Sequence, residues 1–206
     1  MPKQNSDLHG NAPDGSPVAL LLIDLINDLE FEGAEALLEP AIAAADRISD
    51  LKRRASAAGI PVIYANDNWG RWRSDFREAV EHCLRDGVRG QPLAERLAPD
   101  PDDYFVLKPK HSAFYATTLE TLLAYLGTRR LILVGISTDI CVMFTALDAF
   151  MRDYELFVPA DCVVASSRRD GEAALGYLNR VCHADITTSE GLDLERLRVI
   201  GPGAAD

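Results

Sequence analysis

The stretch LILVGISTDICVMFTALDAFMRDYELFVPADC, residues 131–162, changes texture three times along its length. It opens on a continuous apolar run that, with the arginine before it, predicts a strand over 130–136. The run does not alternate, so the strand is buried on both faces. A short polar turn, Ser137-Thr138-Asp139-Ile140-Cys141-Val142, leads into the helical pattern FTALDAFMRDY. A second apolar run, 154–158, then reads as the next strand. Strand, helix, strand at this spacing is the repeating unit of a parallel sheet. In such sheets the ligand site lies beyond the carboxyl ends of the strands. The residues directly after each strand are therefore the ones that carry chemistry.

The same alternation extends in both directions from this stretch. Further apolar runs lie at 18–24, 60–65 and 104–107, with a weaker one at 184–187. Between them Ile42, Ala45, Ile48, Leu51, Ala55 and Ala58 recur at helical spacing, with Pro40 suited to a first helical position and Gly59 as the stop. Ser74 is placed to cap a helix carrying Phe76, Ala79, Val80 and Cys83. Thr117 and Glu120 form a capping box before Leu119–Leu126, which Gly127 closes. These patterns predict one α/β domain of three layers, α/β/α, around a six-stranded, mostly parallel sheet. Residues 1–16 read as a flexible N-terminal arm, 17–200 as the single domain and 201–206 as a tail.

Composition narrows the function. Acidic residues outnumber Lys and Arg by 32 to 21, a formal charge of -11. A nucleic-acid partner is thereby disfavoured, because phosphate neutralisation needs the opposite sign. The apolar runs are too short to span a bilayer and the N-terminus has no apolar signal core, so the expectation is a cytoplasmic protein with no membrane partner. The four cysteines, Cys83, Cys141, Cys162 and Cys182, have no paired spacing and read as free thiols.

Three strand ends stand out. The first strand runs into Asp24, where partial burial raises a carboxyl towards the range of a usable base, although a turn aspartate reads the same way. The third ends in Lys108, an ammonium that needs an anionic partner unless it is a solvated loop lysine like Lys110. After the fourth, Cys141 sits near a helix N-terminus, which favours a thiolate, although a buried structural cysteine fits too. The other three cysteines lack an acid or base at a strand end and read as structural.

Together these residues resemble the isochorismatase-like cysteine hydrolases, which include nicotinamidases and N-carbamoyl amidohydrolases. The resemblance spans about 17–190 and is carried by ALLLIDLINDL (19–29), VLKPKHSAFYATTLETLL (106–123) and the opening stretch, above all Gly135, Thr138-Asp139, Cys141-Val142, Thr145-Ala146, Asp148-Ala149 and Asp161. It implies an Asp24–Lys108–Cys141 triad, an oxyanion hole from the backbone N–H groups of Ser137 and Cys141, and a non-prolyl cis peptide between Ile136 and Ser137. It further implies the strand order 3-2-1-4-5-6 and a homo-oligomer, dimer or tetramer. The implied reaction is hydrolysis of an amide or carbamoyl C–N bond of a small molecule through a thioester.

The sequence departs from the family at three places. Metal-binding members carry Asp-x-His and a further His near the second strand, whereas Tyr64-Ala65-Asn66-Asp67-Asn68-Trp69 has no His, so no metal and no cofactor are expected. Ile26 and Leu29 replace the Gln and Phe of many members, which alters the pocket wall. The segment DNWGRWRSDF (67–76) is rich in Arg and Trp. It presents Trp69, Arg71 and Arg73 either to substrate or to another subunit. Leu29, Asn66, Trp69, Arg71 and Arg73 are accordingly the candidate pocket residues, and a substrate with a carboxylate or planar amide would suit them. Other readings of the residues are a vinyl-ether hydrolase of the isochorismate type, an idle interaction module of the same fold, and a redox thiol protein.

Overall fold

The structure is a computed structural model that describes residues 15–68 and 75–199. Six strands form one parallel sheet: β1 (Val18–Ile23), β2 (Val62–Asp67), β3 (Tyr104–Lys108), β4 (Arg130–Ile136), β5 (Glu155–Phe157) and β6 (Val163–Val164). The order is β3-β2-β1-β4-β5, with β6 paired to β4. All six residues of β1 are buried, as a continuous apolar run at the middle of a covered sheet requires. Strand alternation splits them between two cores. Val18, Leu20 and Leu22 pack under α1 (Glu35–Ala57), α2 (Phe76–Arg85), α3 (Gln91–Arg96) and α7 (Leu194–Arg198). Ala19, Leu21 and Ile23 pack under α4 (Leu119–Leu126), α5 (Met143–Phe150) and α6 (Arg168–Cys182). These are the three layers.

Local details depart from the sequence reading for identifiable reasons. Helix α1 starts at Glu35, which leaves Pro40 inside it. Burial of Ala34, Leu37 and Ala41 against β1 offsets the hydrogen bond that the proline cannot donate. The side-chain cap of α2 is Asp75, which accepts from the Arg77 N–H at 2.6 Å; Ser74 lies outside the described residues. Half of the capping box forms, with the Thr117 hydroxyl accepting from the Leu119 N–H, while the Glu120 carboxylate reaches Arg152 instead. The weak run at 184–187 contributes only a bridge from Asp185 to Phe157, next to β5. Because β5 stops at Phe157, the upper end of β4 is left to β6, which pairs at Gly135 and Ile136.

Near the first described residues Ser16 is held, its N–H on the Leu126 carbonyl and its hydroxyl on the Val18 carbonyl. Among the described residues no helix is long and apolar enough to cross a membrane.

Candidate active site

The carboxyl ends of the parallel strands share one edge of the sheet, and three of the expected residues meet there. Asp24 follows β1, Lys108 is the last residue of β3, and Cys141 lies in a π-helical turn (Thr138–Val142) directly after β4. Strand β2 runs between β1 and β3, so their backbones are about 10 Å apart. Only a side chain as long as lysine bridges that gap. Lys108 Nζ lies 2.8 Å from Asp24 Oδ2 and 3.6 Å from Cys141 Sγ. It also donates to the Lys110 carbonyl and lies 3.9 Å from Asp67 Oδ2. Asp24 has a left-handed backbone (φ 52°), which ends β1 and brings its second oxygen, Oδ1, within 2.7 Å of the Asp67 N–H.

Gly135 makes this assembly possible. Its φ is 132°, and a Cβ there would stand 2.1 Å from the Ile23 carbonyl oxygen, so β4 approaches β1 as no other residue allows. The next peptide, Ile136–Ser137, is cis. The Ser137 carbonyl then accepts both the Ile140 and Val142 N–H groups, and the Ser137 hydroxyl donates to Asp139. The turn thereby carries Cys141 back over Lys108.

Burial dominates the electrostatics. It raises the Asp24 carboxyl above its ordinary value, with Lys108 opposing. Burial acts to lower the Lys108 ammonium, but the charge of Asp24, then Cys141 and Asp67, outweighs it and holds the ammonium above its ordinary value. The Cys141 thiol is pushed up to about 12, first by burial and then by the charge of Asp24. Its position near a helix start therefore does not make it a resting thiolate. The arrangement is an ammonium held between the Asp24 carboxyl and a thiol that burial keeps protonated.

A cavity of about 570 Å³ opens over this set. Besides Asp24 and Cys141 its walls include Asp67, His111, Ser137, Ile140 and Ser166, together with the loop from Asn27 to Gly33. That loop is braced from outside. His82 contacts Asp28 at 3.3 Å, Arg89 reaches Glu30, and Gly90 approaches so closely that a Cβ would lie 1.8 Å from the Asn27 carbonyl oxygen.

Two expected pocket residues lie elsewhere. Leu29 is fully buried in the core, its N–H on the Asn27 side chain. Asn66 is buried with its amide donating to the Ile26 carbonyl, and the next residue, Asp67, takes the cavity-facing place that alternation denies it. Trp69, Arg71 and Arg73 lie outside the described residues. His111, Ser166 and the acidic wall (Asp28, Glu30, Glu32) were not singled out from the sequence. Only His111 carried a signal, three residues after the lysine within KPKHSAF.

Counted from Asp67, the histidine place of the Asp-x-His pattern falls on Trp69, outside the described residues, and among the described residues no three His, Cys, Asp or Glu side chains group so as to hold an ion.

Fold and site together define a three-layer α/β protein with a half-buried thiol, a buried carboxyl and a buried ammonium at the carboxyl edge of its sheet. The isochorismatase domain pattern matches residues 18–191, and the chain belongs to the isochorismatase family. It is 42% identical over 172 residues to YaaI of Bacillus subtilis, an uncharacterised isochorismatase family protein, covering 84% of this chain and 94% of that one. An isochorismatase from the same organism is 30% identical over 185 residues, covering 88% of this chain and 59% of the relative. Among solved structures, N-carbamoylsarcosine amidase from Thermoplasma acidophilum superimposes with a TM-score of 0.67 at 27% identity, covering 85% of this chain and 98% of that one.

Proposed function

We propose that this protein is a cysteine hydrolase that cleaves an amide or carbamoyl C–N bond of a small molecule through a thioester on Cys141. One observation carries the reading: Lys108, with no solvent exposure, touches both the Asp24 carboxylate and the Cys141 sulfur beneath an open cavity. An ammonium is buried at such cost only where its charge is used or paired, and here both partners are reacting groups.

The chemistry follows from the protonation states. As Cys141 Sγ bonds to the substrate carbonyl carbon, Asp24 accepts the thiol proton and the carbonyl oxygen becomes an oxyanion. The backbone N–H groups of Ser137 and Cys141 are the donors proposed to hold it. When the oxyanion collapses, the C–N bond breaks and Asp24 returns the proton to the departing nitrogen. Lys108 stays protonated and offsets the negative charge that passes between oxygen and sulfur. Water then converts the thioester to the acid and restores the thiol. The structural likeness to N-carbamoylsarcosine amidase supports the C–N assignment.

A second reading, acid-catalysed cleavage of a vinyl ether, is supported by the likeness to an isochorismatase and by the raised carboxyl of Asp24. One experiment separates the two. A panel of small amides and carbamoyl compounds is assayed for ammonia release with the wild type and Cys141→Ala. The expected result is turnover that Cys141→Ala abolishes, while Cys83→Ala, Cys162→Ala and Cys182→Ala each stay within a few-fold. Near wild-type turnover by Cys141→Ala would end the thioester reading and leave the acid-catalysed one.

A further inference from the structure

The Cys141 sulfur has a partner on its solvent side that the triad leaves unused. His111 Nδ1 lies 3.8 Å from Sγ, and the imidazole forms part of the cavity wall. Its placement is built by the surrounding chain. The Lys110 carbonyl before it is held by Lys108 Nζ at 3.2 Å. After it, the Ala113 N–H donates to the Thr145 hydroxyl at 3.0 Å, and that hydroxyl donates at 2.7 Å to the carbonyl of Cys141 itself. The ring rests against Phe144, with centroids 5.5 Å apart. The loop carrying the imidazole and the turn carrying the thiol are thus tied together at both ends.

We infer that His111 is a catalytic residue for the second half of the reaction, the base that activates water against the thioester; the inference rests on the thioester reading above. Both Asp24 oxygens are engaged beneath the sulfur, Oδ2 by Lys108 and Oδ1 by the Asp67 N–H, so Asp24 suits the thiol proton and the leaving nitrogen. The hydrolytic water arrives from the opening of the cavity, where His111 stands exposed. In the step proposed, water oxygen bonds to the thioester carbon and Nδ1 takes one of its protons. The C–S bond then breaks with its electron pair on sulfur. The imidazolium gives that proton to Sγ, leaving the carboxylic acid and the free thiol. Atoms and charge balance with water as the only co-reactant.

The test uses p-nitrophenyl acetate, which acylates a reactive cysteine without any demand on substrate specificity. It compares the wild type with His111→Phe, which keeps a ring against Phe144 but removes both nitrogens, and with His111→Gln. The readouts are p-nitrophenol release and the acetyl adduct on Cys141 by mass spectrometry. Both variants should give a burst and accumulate the adduct, with steady-state release roughly 10²-fold below the wild type, the scale of a lost general base. Hydroxylamine attacks thioesters without a base and should restore their release to within a few-fold. Unchanged deacetylation in both variants overturns the inference. So does a loss of release with no adduct, which would place His111 before the thioester. A wild type that releases p-nitrophenol no faster than Cys141→Ala does would instead refute the thioester reading itself.

Discussion

Replacing Lys108 by Met removes a fully buried ammonium while keeping much of its stem volume, and the consequence follows from the two groups it touches. Breaking a buried pair by removing one partner costs about 3–5 kcal/mol, because the other charge is left unpaired. In a chain of this size each kcal/mol is about 2–4 °C in Tm, so the loss should be roughly 10 °C. It should also depend on pH. Asp24 already has a folded pKa above its unfolded value of 3.8, through burial that Lys108 opposes. Without Lys108 the folded value climbs further. A carboxyl raised on folding contributes its stability below the unfolded pKa and loses it as pH rises through the folded one. The deficit of Lys108→Met should therefore be small near pH 4–5 and widen towards pH 8. The double variant Asp24→Asn/Lys108→Met leaves neither charge and should recover most of the Tm. Thermal melts of the wild type and both variants at pH 5 and 8 measure this directly. Equal deficits at the two pH values, or a double variant no more stable than Lys108→Met, would refute the reasoning.

Asp24→Asn removes the second influence that pushes the Cys141 thiol up to about 12, leaving Lys108 beside the sulfur. Iodoacetamide labelling of Cys141 at pH 8 should thus become faster while amide turnover falls about 10²–10⁴-fold; slower labelling would show that the carboxylate does not act on the thiol. Gly135→Ala places a Cβ 2.1 Å from the Ile23 carbonyl oxygen at a φ of 132°. It should lose several kcal/mol of stability, on the order of other severe backbone clashes, and with it the seat of Asp24 and Cys141. A melting temperature within a degree or two of the wild type would contradict that packing.

Several parts of the site were readable before any coordinates because they are local. A continuous apolar run followed by one polar residue marks the carboxyl end of a buried parallel strand, and Asp24, Lys108 and Cys141 each stand at or just past such an end. The arrangement that joins them is not local. Lys108 meets Asp24 only because β3 sits two strands from β1, and no periodicity in the chain states that order. Leu29 and Asn66 show the same limit from the other side. Both lie in the right segments, yet a left-handed residue at 29 and simple alternation at 66 turn them into the core.

What the sequence determined by itself was therefore the set of elements and the residues at their ends, since burial on both faces and helix periodicity are written in neighbouring side chains. Tertiary structure alone decided the protonation states. A thiol near a helix start reads as a thiolate from its neighbours in sequence, yet desolvation and the charge of Asp24, 117 positions away in the chain, keep the proton on Cys141. Charge interacts through space and through the medium around it, and only the fold sets the medium and the distances.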